Sequence, residues 1–252
     1  MKFSRLGVNV DHVATLRQQR TEGYPQVFRA ADLSLSAGAE QITIHLREDR
    51  RHIQDHDLPA VHEICKKHGK LLNLEMGMTQ EMMEIACQEK PDWICLVPEK
   101  REERTTEGGL DVGPSQIARV QKFCEELKTR LPQTRISLFV EGTPEVMEAC
   151  LTVNCDAVEI HTGQYAIDFL HKRSIDTHLQ MYKKSWDVFK KSGRGFHAGH
   201  GLTLDSVVPL LEQGLFEEYN IGHWIISESV FVGITEVVSQ MKKLMEKYPL
   251  KG

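Results

Sequence analysis

Ile42-Thr43-Ile44-His45-Leu46-Arg47 decides the fold. A buried strand ordinarily runs into turn residues, whereas this apolar run ends in an imidazole and a guanidinium. Strand alternation places Thr43, His45 and Arg47 on one side and the aliphatic groups on the other. The habit recurs along the chain. Residues 6–10 run into Asp11-His12, residues 71–74 into Glu75, and Val158-Glu159-Ile160 into His161. Ala198-Gly199-His200-Gly201 and Asn220-Ile221-Gly222-His223 repeat it near the C-terminus. Strand after strand ending in such groups predicts one shared pocket at one rim of a (β/α)8 TIM barrel.

Eight strands are expected near 6–10, 41–45, 71–75, 93–97, 136–140, 157–160, 195–198 and 218–221. Helical spacing fills the gaps. Val27, Ala30, Ala31 and Leu35 form one apolar stripe, stopped by Gly38; Val61, Ile64 and Cys65 begin another, stopped by Gly69. Thr143-Pro144-Glu145 is a start signal, with a hydroxyl cap, a proline and then a carboxylate at the positive helix end. Thr203-Leu204-Asp205 predicts a similar start. Helices between strands force parallel pairing through right-handed crossovers. A doubly wound open sheet is the alternative, but Gly7-Val8-Asn9-Val10-Asp11-His12 is not the glycine-rich turn that fold needs. A length of 252 residues suits one barrel domain over 1–252, with extra helices.

A net charge of −5 argues against a nucleic-acid partner, which calls for a basic face. No apolar run approaches the roughly 18 residues of a membrane span. The opening Met1-Lys2-Phe3-Ser4-Arg5-Leu6 lacks the apolar stretch of a secretory signal. Six scattered cysteines without a Cys-x-x-Cys pair read as reduced, buried thiols of a cytoplasmic protein. Two connections are long. Residues 98–114 are charged and are expected to cover the barrel mouth. Residues 166–192 carry Phe169, Tyr182, Trp186 and Phe189, which suit either a subunit interface or an oversized packing helix.

His45 has the residue type of a general base, and Arg47 a fork matched to carboxylate or phosphate; Glu48, Asp49 and Arg50 read as a solvated turn. Glu75 is a proton shuttle if buried at the mouth, or the partner of a neighbouring arginine. Glu159, inside an apolar strand, must meet a partner or a positive charge on a substrate. Gly199-His200-Gly201-Leu202-Thr203 and Gly222-His223 resemble the two loops with which barrels cradle phosphate. The histidines also raise a metal-dependent hydrolase or lyase acting on a phosphosugar. Asn9-Val10-Asp11-His12 lacks a His-x-His pair, however, and Arg47 would repel a cation. No lysine ends a strand, Lys100 being the nearest, so any imine would take its amine from a substrate. A phosphosugar-binding scaffold without catalysis is a further alternative.

Longer motifs carry a resemblance. GVNVDHVATLR at 7–17, TIHLREDRRHI at 43–53, NLEM at 73–76 and LVPEKR at 96–101 resemble the pyridoxine 5′-phosphate synthase family. So do TTEGGLDV at 105–112, EIHTG at 159–163, AGHGLT at 198–203 and NIGH at 220–223. The resemblance implies a TIM barrel with added helices, assembled from dimers into homo-octamers. It implies condensation of 1-deoxy-D-xylulose 5-phosphate with 3-amino-2-oxopropyl phosphate, giving pyridoxine 5′-phosphate, phosphate and water, without cofactor or metal. By matched motif, His45 and Glu75 would accept protons, His200 would donate one, and Glu159 would stabilise cationic transition states. Asn9, Arg20, Gly201, Gly222 and His223 would hold the aminoketone phosphate, with Arg20 reaching in from a dimer partner. Asp11, His12, Arg47, His52 and Thr105 would hold the deoxyxylulose phosphate. Three places depart from the family pattern. His197 stands for a common Asn, Gln164 for a frequent Cys, and Ile226-Ser227-Glu228-Ser229 for Ile-Gly-Arg-Ala. A carboxylate at Glu228, near a helix start, is expected to oppose phosphate binding there.

Overall fold

Each apolar run forms a strand, and each strand pairs in parallel with its sequence neighbours until the last returns to the first. In the computed structural model, which describes residues 2–20, 22–99 and 108–251, the order is β1 (Arg5–Asn9), α1 (Asp11–Arg17), α2 (Val27–Ser36), β2 (Gln41–His45), α3 (Asp57–His68), β3 (Leu71–Met76), α4 (Gln80–Glu89) and β4 (Trp93–Leu96). It continues with α5 (Ile117–Arg130), β5 (Arg135–Val140), α6 (Pro144–Leu151), β6 (Ala157–His161), α7 (Gly163–Leu170), α8 (Asp176–Phe189), β7 (Gly195–Gly199), α9 (Val208–Gln213), β8 (Glu218–Ile221), α10 (His223–Val232) and α11 (Ile234–Met245). β1 pairs with β2 on one side and β8 on the other, so the barrel is closed. The expected (β/α)8 architecture with added helices is the observed one.

Alternation sorts each strand. Ile42, Ile44 and Leu46 are fully buried in the main apolar cluster, while Thr43, His45 and Arg47, also buried, take the opposite, inner side. The interior is consequently polar. Thr43 Oγ1 donates to Asn220 Oδ1 (3.0 Å) and accepts from Asn73 Nδ2 (3.2 Å), so these inward groups bond to one another, Asn73 Oδ1 being left without a partner among the described residues.

The helix signals hold with one exception. α2 buries Val27, Ala30, Ala31 and Leu35, and the chain turns at Gly38 with φ +111°. Gly69 closes α3 in the left-handed region, and Thr143 Oγ1 caps α6 by accepting from Val146 N–H (3.4 Å). The expected start at Thr203 is corrected: Thr203 caps only a turn, through Ser206 N–H (3.1 Å), and α9 begins at Val208. Pro209 has no N–H to give the Asp205 carbonyl, which takes Val208 N–H (3.2 Å) instead and breaks the α register.

The long 166–192 segment contributes α8, whose aromatic groups pack inward. Tyr182 is buried edge-on against Tyr165 and Phe216, and Phe189 is fully buried. α7 differs, leaving Ile167 and Leu170 exposed. Among the described residues no helix is long and apolar enough to cross a membrane.

Candidate active site

The C-terminal ends of the strands open on a cavity of about 470 Å³. Of the site residues named from the sequence and described in the structure, all but Arg20 line it.

The first corner is braced by short polar side chains. Asn9 Oδ1 accepts Asp11 N–H (2.9 Å) and Asn9 Nδ2 donates to Asp11 Oδ2 (2.8 Å), which turns the chain into α1. Asp11 Oδ1 then accepts His45 N–H (2.8 Å), tying the end of β1 to that of β2. His12 stands edge-on to His223 at 5.0 Å, and its pKa is lowered by burial against the opposing pull of Asp11.

His45 and Glu75 are register partners on β2 and β3, with Nδ1 and Oε2 3.9 Å apart. Burial, then Glu159 and Asp11, push the Glu75 pKa well above the ordinary carboxylate range. Its neighbour is a histidine, not the arginine partner considered from the sequence. The other His45 nitrogen, Nε2, lies 3.1 Å from Glu99 Oε1. Glu99 also accepts Gly77 N–H (2.9 Å) and Glu48 N–H (3.1 Å). Burial raises its pKa, but these bonds, led by that of His45, outweigh it and leave Glu99 below the usual carboxylate range. The strand-end reading passes over Glu99, because it sits within a highly charged stretch. The signal that finds it is its place just after the fourth strand.

Arg47 is buried at the cavity wall, its Nε 3.5 Å from Asp49 Oδ1. His52 Nδ1 accepts Ile53 N–H (2.8 Å), and burial lowers its pKa.

On the opposite wall, Glu159 is 2% exposed. A Cβ at Gly199 would lie 2.1 Å from Glu159 Oε1, so only glycine leaves room for this carboxyl. We expect Gly199→Ala to displace Glu159 and lower kcat tenfold or more while stability falls by about 1–3 kcal/mol, the scale of core overpacking. Steady-state kinetics beside urea denaturation check both; an unchanged kcat refutes it.

His200 adopts φ +80°, the left-handed region that β-carbons resist, and Thr162 Oγ1 pins the strained turn by donating to the Gly199 and His200 carbonyls (2.7 Å each). Its ring stands 5.1 Å from that of His161, whose Nδ1 is 2.8 Å from Glu141 Oε1. Burial, then His161, His12 and His223, push the His200 pKa down from 6.5 to about 4. The sign follows. A depressed folded-state pKa contributes stability that is complete above pH 6.5 and lost as pH falls through about 4. His200→Asn is expected to remove on the order of 1–3 kcal/mol of this acid-side loss, seen in urea midpoints at pH 7 and pH 4. An identical fall in both proteins would refute the assignment.

Gly201 (φ +79°) and Gly222, followed by His223 at the start of α10, bring backbone N–H groups to the rim. Arg20 is not part of this assembly: it is exposed, with a 4.0 Å contact to Glu22. Thr105 and Lys100 lie outside the described residues. Glu228 sits in the second turn of α10 and does not line the cavity. Gln164 is exposed on α7 and donates to Asp168 Oδ1 (3.1 Å). Among the described residues no three His, Cys, Asp or Glu side chains converge to hold a metal ion.

Residues 6–247 match the model of the family described as pyridoxal phosphate biosynthesis protein PdxJ. A pyridoxine 5′-phosphate synthase of Caulobacter vibrioides is 45% identical over 244 residues, 96% of this chain and 95% of that protein. One from Nostoc punctiforme is 44% identical over 238 residues, 94% of this chain and 96% of its own. Solved structures share the fold at low identity. A 3-keto-L-gulonate-6-phosphate decarboxylase from Vibrio cholerae superposes with a TM-score of 0.64 at 12% identity, covering 98% of this chain and 99% of that one. A thiamine phosphate pyrophosphorylase from Pyrococcus furiosus gives 0.61 at 14%, covering 97% and 96%.

Proposed function

Because the chain belongs to the PdxJ family of pyridoxal phosphate biosynthesis proteins, we propose that it is a pyridoxine 5′-phosphate synthase acting as one domain in the cytoplasm. It condenses 1-deoxy-D-xylulose 5-phosphate with 3-amino-2-oxopropyl phosphate and releases pyridoxine 5′-phosphate, phosphate and water. The observation that carries this reading is the convergence of His45, Glu75, Glu159 and His200, from four strands, on one cavity of about 470 Å³.

Ring closure needs proton removal beside a carbonyl, proton delivery to departing oxygen, and tolerance of an iminium charge. His45 and Glu75, 3.9 Å apart, work as an acid–base pair that accepts the substrate protons. His200, neutral at rest, takes up a proton in the substrate complex and donates it from the opposite wall, and Glu159 faces the cationic species. Arg47, His52, Asp11 and His12 hold the deoxyxylulose phosphate, with Thr105. Asn9, Gly201, Gly222 and His223 hold the aminoketone phosphate on backbone N–H groups. The substrate amine forms the imine, so no cofactor or metal is required.

Arg20, exposed and not among the residues lining this cavity, completes the site of a second copy in a homo-octamer built from dimers. Val230, Phe231 and Val232 on α10 are 74%, 80% and 55% exposed and supply apolar surface for such contacts.

Incubation with both substrates tests the reading, with product followed by absorbance and mass. Pyridoxine 5′-phosphate should appear, and its rate should survive exhaustive chelation. An EDTA-sensitive hydrolysis of either phosphosugar would favour the metal-dependent alternative, and tight binding without turnover the scaffold.

A further inference from the structure

Two carboxyl groups share the barrel interior, Glu159 in the cavity wall and Glu218 outside its lining at the start of β8. Glu159 on β6 and Glu218 on β8 are 2% and 1% exposed, and one amide joins them. Asn220 Nδ2 donates to Glu159 Oε2 (2.8 Å) and to Glu218 Oε1 (3.1 Å). The amide cannot turn over, because Asn220 Oδ1 accepts from Thr43 Oγ1 (3.0 Å) and Gln41 Nε2 (3.3 Å) on its other side. Space for it is also specific: a Cβ at Gly7 would lie 1.9 Å from Asn220 Oδ1.

The surroundings of the two carboxyls are unequal. Glu218 Oε2 accepts from Arg5 Nε (3.0 Å) and lies 2.9 Å from Arg5 Nη2, and its Oε1 accepts from Gln41 Nε2 (2.8 Å) and lies 3.5 Å from His197 Nδ1. Among the described residues no lysine, arginine or histidine lies within ion-pair distance of Glu159. Its other recorded contact is Cys95 Sγ at 4.0 Å. Two buried carboxylates bridged by one neutral amide cannot both be charged cheaply. The permanent cation, Arg5, stands at Glu218.

We propose that Glu218 is a positioning residue that, through Asn220, keeps the single proton of this pair on Glu159, so that Glu159 enters the reaction as an acid and becomes a carboxylate only during it. The proposal deepens the synthase reading and rests on it. Proton transfer from Glu159 to a departing substrate oxygen breaks the carboxyl O–H and forms O–H on the leaving water. The electron pair left behind is a carboxylate facing the iminium charge. A permanently ionised group would bind that cation too, but would also draw any other cation into the resting site.

The titrating groups around Glu159 agree in direction. Glu75 from β3, Cys95 from β4, His197 from β7 and Glu218 from β8 face it, and none supplies a close positive charge. Burial, then the charge of Glu218, raise Glu159 to about 8 against the pull of Asn220. At Glu218 burial works upward too, but His197 and Arg5 outweigh it and hold that carboxyl below its ordinary range.

Infrared difference spectroscopy on the intact, ligand-free protein is the test. Wild type minus Glu159→Gln at pH 7 should contain the C=O stretch of a protonated carboxyl group. That band should titrate away at alkaline pH in wild type, and at least one pH unit lower in Glu218→Gln, which lacks the like charge. Absence of the band at pH 7 overturns the proposal, and that measurement stands even where Glu218→Gln fails to fold. A folded Glu218→Gln protein with an unmoved midpoint overturns it equally. Neither readout needs turnover, so failure of the synthase assay and failure of this inference are separately visible.

Discussion

His45→Asn, Glu75→Gln and His200→Asn each lower kcat at least about a hundredfold, the scale of losing a positioned acid or base, while the proteins remain folded. Each substitution keeps approximate size and some hydrogen-bonding capacity but removes the ability to exchange a proton. KM should move far less than kcat, because the phosphate contacts come from other residues: Arg47, His52, and the backbone around Gly201 and Gly222. The three losses will not multiply. His45 and Glu75 are 3.9 Å apart and exchange protons within one sequence of steps, so removing either stalls the same step. Burst and steady-state kinetics on the single and triple variants separate these contributions. A triple variant that turns over near the wild-type rate removes proton transfer by these side chains from the mechanism. Glu75→Gln has a second consequence, since it replaces a carboxyl that resists ionisation with a neutral isostere. Its stability at alkaline pH should equal or exceed that of wild type.

Arg17→Met is expected to cost about 3–5 kcal/mol of folding stability, the usual scale for breaking one side of a buried ion pair. Arg17 and Asp57 are 5% and 3% exposed and meet in two parallel bonds, Nη1 to Oδ1 at 2.6 Å and Nη2 to Oδ2 at 2.7 Å. Asp57 Oδ2 also accepts Gln54 N–H (2.8 Å), and Arg17 Nη2 reaches the His52 carbonyl at 3.3 Å. The pair therefore ties α1 to the loop that carries His52. Removing the guanidinium leaves a buried carboxylate with one backbone donor and the exposed His56 ring 3.6 Å away. Replacing both members with apolar groups, as in Arg17→Met with Asp57→Leu, should recover most of the loss, because no charge is then stranded. Urea unfolding gives both values. The single variant should also raise KM through the loosened His52 loop, whereas a single variant as stable as wild type would show the pair to be dispensable.

The contrast between these two sites explains what could be read from the chain alone. His45 and Glu75 were legible because strand alternation has a period of two: once the apolar residues of β2 and β3 are assigned outward, the polar ones have nowhere to point but in. Gly201 and Gly222 were legible for a related reason, since loops following barrel strands share a rim. Arg17 was visible only as the last letter of a motif, and its partner lies 40 residues away.

Glu99 and Glu218 show the same limit from the other side. Glu99 lies in a charged stretch whose composition suits a solvated loop, yet it is held by His45 and by the backbone of two neighbouring strand ends. Glu218 begins its strand between Glu217 and Tyr219, and nothing local says that Arg5, Gln41, His197 and Asn220 surround it. Arg20 shows the limit in another way. It lies close in sequence to Asp11 and His12, but the chain beyond α1 carries it outward. At Thr203 the hydroxyl cap was real and the helix was delayed, because Pro209 withholds the N–H that would continue it.

The order of strands and helices, their closure into a barrel and the rim that bears the chemistry follow from local periodicity, and the chain carried these by itself. Which carboxyl holds a proton, which histidine stays neutral and which ion pair is buried depend on distances and solvent exclusion among residues far apart in sequence. Those quantities come into being only when the barrel closes, because electrostatic energy is set by what surrounds a group in space and not by what flanks it in the chain.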